Sequence, residues 1–389
     1  MGNHRRSRRL LPVALACLLS TGCWDKVEIE NRGFIISLGI DKYDSNKKSS
    51  RAEEEYNRYT VSAALPSVTD MKESAVSDKS KDVKSADNST ISGCIQLMDA
   101  ASSQKLYLGQ VKLLVLGKGL LSDENLFRQA VDAMERDRDI SRKLFLLSTK
   151  ERAEDILRLN IPGEPMLGLF VENYYKNSGG AGFYGFYKVL EKSISDLRST
   201  GCTLIPEIEA EETDKAEGIR FGGCAVIKDC KLAGWLDDPE TRGYAWVMGN
   251  CRNSSVTVVY NNMYIPIKVL KSRPRITFSL KNGKLECLIR VNVSGAVKEY
   301  DFTAAGLNNP SNLKAYQTAF EQAVSKEIGQ TADRVQSEIN ADIYNFKDLL
   351  RKKNYQLFLT YGEDWERHYC EMEIIPQVKV DIISIGTIK

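Results

Sequence analysis

Cys23 is the residue whose setting most narrowly specifies a chemistry. It follows Ser20, Thr21 and Gly22; before them lies an apolar run over 10–19, headed by Arg5, Arg6, Arg8 and Arg9. Basic, then apolar, then small residues make up a secretory signal. Small residues directly before a cysteine form a lipobox, in which diacylglycerol alkylates the thiol and the chain is cut just before it. The freed amine then takes an acyl chain such as palmitate. Leu19 stands one place further back than the commonest lipobox leucine, and Ser20 occupies that place. The expectation is a signal peptide over 1–22 and a mature chain held on the outer face of a cell membrane by lipid on Cys23. The apolar run is about half the roughly 20 residues that a spanning helix needs. No later stretch approaches that length, so the acyl chains are the expected anchor.

Other chemistry is sparse. The chain has two histidines, His4 and His368, which removes most triad, general-base and zinc schemes. Neither a nucleophile elbow nor a phosphate-binding glycine loop occurs. The glycine-rich run at 179–185 follows a helical pattern rather than a strand and lacks a basic partner, so it reads as a linker. Glu207, Glu209, Glu211 and Glu212 form an acidic patch without calcium-loop spacing and read as a solvated strand edge. His368, beside Trp365 and Tyr369, reads as a packing or surface residue. No catalytic residue, metal or cofactor is expected, and the chain is not read as an enzyme.

Charge and cysteine content agree with this. Loss of residues 1–22 removes four arginines and no acid, so the formal charge goes from +2 to −2. A near-neutral surface gives no reason to expect nucleic-acid binding. Of nine cysteines, Cys17 leaves with the signal and Cys23 is lipidated, so seven remain. That count is odd, and most sit among apolar neighbours, so they read as buried thiols. A disulfide among Cys202, Cys224, Cys230 and Cys251 is the lesser alternative.

The elements that must position these residues fall into three segments. Over 23–200, strands at 33–43 and 56–65 precede a polar run, 71–88, that has little to bury and reads as a mobile loop. Helices at 92–108, 123–136, 151–159 and 183–197 then alternate with strands at 111–116 and 143–148, the pattern of an α/β domain. A small strand-rich domain is expected over 201–270, interrupted by one helix for which Asp238 serves as cap and Pro239 as first residue. From 271 to 389 an α+β domain is expected. Asn282-Gly283 marks a hairpin. Leu313, Tyr316, Phe320, Val324, Ile328, Val335 and Ile339 stripe a helix opened by Asn309, about 40 Å long. The stripe is read as packing on the domain's own sheet.

Four segments together resemble the Ger(x)C family, the C subunits of spore germinant receptors. The mature start is similar to the family's opening at Cys23, Trp24, Asp25, Glu28, Ile29, Gly39 and Asp41. The middle resembles its Arg136-Asp137 step. The stretch from Ala225 through Lys231, Leu232, Gly234, Trp235, Leu236 and Glu240 to Gly243 looks like its second signature, and Trp365 with Gly386 its last. The resemblance implies an α+β protein of three domains, each a largely antiparallel or mixed sheet packed with helices. It also implies two membrane partners, an A and a B subunit, at the inner membrane of a spore, and a scaffold or signalling role in nutrient-triggered germination. The alternative is a solute-binding lipoprotein of a transporter, which would have two α/β lobes around a cleft.

Overall fold

The computed structural model describes residues 28–45, 56–67, 81–164, 166–177, 187–213, 216–260, 263–297 and 309–385. The expected signal peptide, Cys23, Trp24, Asp25, the glycine-rich run 179–185 and Gly386 lie outside them. The fold is α+β, with mixed sheets and helices on their faces.

Fourteen strands are described. β1 (Arg32–Phe34) pairs with β5 (Lys105–Tyr107). The main sheet is formed by β2 (Ser37–Lys42), β3 (Tyr59–Pro66), β4 (Lys81–Asn88), β6 (Leu113–Gly117), β7 (Phe145–Thr149), β8 (Cys202–Thr213), β9 (Ala216–Lys228) and β10 (Lys231–Leu236). Its order is β10-β9-β8-β7-β6-β2-β3-β4, with β2, β6, β7 and β8 parallel and both flanks antiparallel. A second sheet has the order β11 (Ser255–Tyr260), β12 (Met263–Lys281), β13 (Lys284–Val297), β14 (Glu373–Ile385), with only the last pair parallel.

The main sheet buries both faces because its strands alternate. Leu114, Leu116 and Leu146 turn toward the helices Ile91–Ala100, Glu124–Arg136 and Leu190–Thr200. Leu113, Val115 and Leu147 turn toward Ala153–Arg158 and Leu167–Asn177. At β8 and β9 the same alternation does something further. Ile205, Ala225 and Ile227 fill the first core, while their neighbours Leu204, Cys224 and Val226 belong to the core of the second sheet. The strands of the expected middle segment are therefore shared. β8–β10 extend the main sheet, joined to it through the Ser148↔Glu207 pair, whereas β11 and the first residues of β12 open the second sheet.

The polar run 71–88 is corrected in its described part, because Lys81–Asn88 is strand β4, paired along its whole length with β3. A polar sequence can hold an edge position, since backbone pairing to one neighbour suffices there and charged side chains blunt the open edge. The helix Pro310–Ser337 follows its stripe, with Asn309 Oδ1 accepting from Ser311 N and Tyr316, Phe320, Val324, Ile328 and Val335 buried. Asn282 and Gly283 form the expected turn with φ of 52° and 78°.

All seven later cysteines are free thiols. Cys94, Cys202, Cys224, Cys251 and Cys287 are buried, Cys230 is half-buried and Cys370 exposed. Burial pushes the thiols of Cys94 and Cys224 up to about 12. Among the described residues no helix is long and apolar enough to cross a membrane.

Candidate functional site

Two of the expected signature residues meet where the sheets join. The helix Asp238–Met248 leaves β10 and lies across the helix Pro310–Ser337. Its cap is Asp237, not Asp238: Asp237 Oδ1 accepts from Glu240 N at 2.9 Å, and Glu240 Oε2 accepts from Asp237 N at 2.8 Å. The acid three residues on fixes the start, because it closes the reciprocal pair and leaves Pro239 inside the first turn.

Glu240 has a second task. Its Oε1 accepts from Arg334 Nη1 at 2.8 Å, and Arg334 Nη2 donates to the Trp235 carbonyl at 3.1 Å. One guanidinium of the long helix thus holds both the end of β10 and the start of the helix after it. About two turns back along the long helix, Glu327 makes a bidentate pair with Arg242 and also accepts from Trp246 Nε1 at 3.0 Å. Between these two clamps the helices touch at Gly243. A Cβ there would run into Thr331 Oγ1 and lie 2.7 Å from the Glu327 carbonyl. Thr331 Oγ1 donates into this crossing, 3.1 Å from the Glu240 carbonyl and 2.9 Å from that of Glu327.

The junction continues into the main sheet. Lys150 Nζ stands 5.1 Å from the centre of the Trp235 ring and 3.0 Å from Glu207 Oε2. It also reaches Glu209, which in turn pairs with Arg220, and Arg220 with Asp238. The reading of this patch as a solvated edge is corrected at Glu207, which is 1% exposed where β8 pairs with β7; beyond that single pair β8 has β9 as its partner, and Glu211 is exposed. Burial pushes the Glu207 carboxyl up to about 7, against the pull of Lys150. Burial lowers Lys150, but the two carboxylates outweigh it and the net shift is upward.

Trp365 lies elsewhere, on the short helix Trp365–Glu371. Its Nε1 donates to Asp342 Oδ2 at 3.0 Å, and Phe346 N and Lys347 N also donate to that carboxylate. Burial raises the Asp342 carboxyl despite these donors. Asp41 has the same kind of role on β2. Its carboxylate, 4% exposed, accepts from Ala153 N at 2.8 Å and Glu154 N at 3.1 Å. His368 lies edge-on to Tyr361, 4.9 Å between ring centres.

These groups fix elements to one another. Each carboxylate is occupied by backbone amides, guanidinium or ammonium. Among the described residues no cluster of His, Cys, Asp or Glu is placed to hold a metal ion. Sequence reasoning missed Glu327, Arg334 and Asp342. Glu327 and Arg334 each directly precede a buried stripe residue, Ile328 and Val335, and that adjacency is the signal that could have found them.

Residues 25–210 match the model of the spore germination protein N-terminal domain, and 222–386 that of the spore germination B3/GerAC-like C-terminal domain. Spore germination protein B3 of Bacillus subtilis (strain 168) is 23% identical over 382 residues, covering 94% of this chain and 95% of its own. Spore germination protein KC of the same organism is 22% identical over 394 residues, covering 95% and 91%. The crystal structure of the GerBC protein superposes with a TM-score of 0.58 at 18% identity, covering 89% of this chain and 97% of that one, so the fold is shared. The chain belongs to the Ger(x)C family, the C subunits of spore germinant receptors.

Proposed function

We propose that this chain is the lipid-anchored scaffold or signalling subunit of a nutrient germinant receptor, and that it is not an enzyme. In this reading Cys23 begins the mature protein and carries the diacylglycerol and N-acyl chains, Trp24 and Asp25 follow it, and the outer face of the spore inner membrane is its location. Its partners are the membrane A and B subunits. The observation that carries the reading is the junction itself: its charged residues are spent on joining strands to helices, as suits a rigid adaptor between larger partners. The two sheets also differ in strand number and order, unlike the paired lobes of a solute-binding protein.

Cys23→Ala tests the anchor. The variant is expected to leave the membrane fraction and to slow germination in response to nutrient. Normal membrane retention with a normal response would overturn the anchoring role.

A further inference from the structure

The second sheet covers one face with the helix Pro310–Ser337; among the described residues nothing packs over the other face, and that face is strongly basic. On β12 the outward residues include Lys268, Lys271, Arg273 and Arg275; β13 adds Arg290 and β14 adds Lys379. Lys268 is half-buried and the other five are exposed. Their register sets them side by side. Arg275 stands directly opposite Arg290, and Arg273 and Lys379 both flank Asn292. Using standard strand spacings, the patch measures about 23 Å along β12 and about 10 Å across to β14.

Like charges directly opposed across a sheet destabilise it, and an ordinary soluble surface intersperses acids among bases. Elsewhere this chain does so, pairing Arg128 with Glu124 and Arg136 with Asp132 on one helix alone. On the basic face, Arg290 donates to the neutral Gln377 at 3.3 Å, and no ion pair engages any of the six among the described residues. The carboxylates on the same face are Asp381 on β14, and Glu286 and Glu373 at the hairpin end, where Glu286 pairs with Lys281. With a net charge near zero, this concentration makes the molecule an electrostatic dipole that orients in a field.

The end of the face beyond Lys268 is apolar. Val259 and Tyr264 are registered partners on β11 and β12 and are 59% and 74% exposed. A flat cationic face ending in an exposed aromatic and an aliphatic side chain is complementary to a phospholipid surface, where anionic headgroups meet the cations and Tyr sits at the interface. We propose that this face docks on an anionic bilayer surface, as a second membrane contact independent of any acyl chain. It holds the C-terminal half of the protein flat against the headgroups.

The test is sedimentation of the full mature chain carrying Cys23→Ala with vesicles, so that no acyl chain contributes. One set contains equal parts phosphatidylglycerol and phosphatidylcholine, the other phosphatidylcholine alone. Binding is expected only to the anionic set, and weakens as salt shortens the screening length below about 10 Å. Each neutralised cation is expected to cost about fivefold, so Arg275→Gln with Arg290→Gln weakens binding about 25-fold. Arg275→Lys with Arg290→Lys keeps it, and unchanged melting of both doubles shows that folding is not the cause. Equal binding to both vesicle sets, no binding to either, or indifference to the Gln pair would overturn the proposal. So would loss of vesicle binding accompanied by capture of an acidic membrane protein on the same face.

Discussion

Replacing Glu240 removes two interactions whose sizes can be separated. Within its helix Glu240 supplies half of the capping box, and across the junction it receives Arg334. Loss of its bond from the Asp237 amide, with the Asp237 cap itself kept, costs about 1 kcal/mol. A hydrogen bond to a charged group is worth about 1.5–3 kcal/mol. Here Arg334 is 37% exposed and keeps its bond to the Trp235 carbonyl, so solvent offsets part of the loss and about 1 kcal/mol remains. Glu240→Ala should therefore lose about 2 kcal/mol. Glu240→Gln keeps an acceptor for the Asp237 amide and should lose about 1 kcal/mol. The assay is urea unfolding of the full chain followed by tryptophan fluorescence, since Trp235 and Trp246 flank the junction. A double-mutant cycle of Glu240→Gln with Arg334→Met should show a coupling of about 1 kcal/mol. Strict additivity in that cycle, or an Ala variant as stable as the parent, would refute the clamp.

Two further outcomes follow from the same region. Gly243→Ala should destabilise by a net 1–2 kcal/mol or so despite alanine's better helix propensity, because the added methyl collides with Thr331 and the Glu327 carbonyl; thermal melting checks it, and an unchanged melting point would mean that the helices part freely. Glu207 binds its proton more tightly folded, near 7, than unfolded, near 4.5, so its contribution favours the fold below pH 4.5 or so and is lost as pH rises through about 7. Glu207→Gln should flatten melting temperature between pH 5 and 8 or so and raise it at the alkaline end; a parallel pH profile for parent and variant would exclude Glu207 as the source.

What the sequence disclosed depended on whether a feature was local. The Asn282-Gly283 turn, the Asn309 cap and the stripe from Tyr316 to Val335 are set by neighbours along the chain, and they stand where spacing placed them. β4 was hidden because its pairing with β3 relies on backbone groups, which leave no apolar signature in Lys81–Asn88. The junction was hidden for another reason. Trp235, Glu240 and Gly243 are visible by resemblance, but their partners Glu327, Thr331 and Arg334 lie about ninety residues on, in a helix whose polar residues all look alike. Periodicity identifies which face of a helix is buried and is silent on which flanking charges meet a partner.

The buried thiols have a use that follows from their distribution. Cys94 lies in the core of the main sheet, whereas Cys224, Cys251 and Cys287 lie in the core behind the second sheet, and Cys370 is open to solvent. An alkylating reagent would therefore mark Cys370 at once and the others only as each core opens. Because β8 and β9 wall both cores, concerted opening would label the two groups of thiols at one common rate. Separate rates would time the parting of the two halves, read by mass spectrometry on the unmodified native sequence.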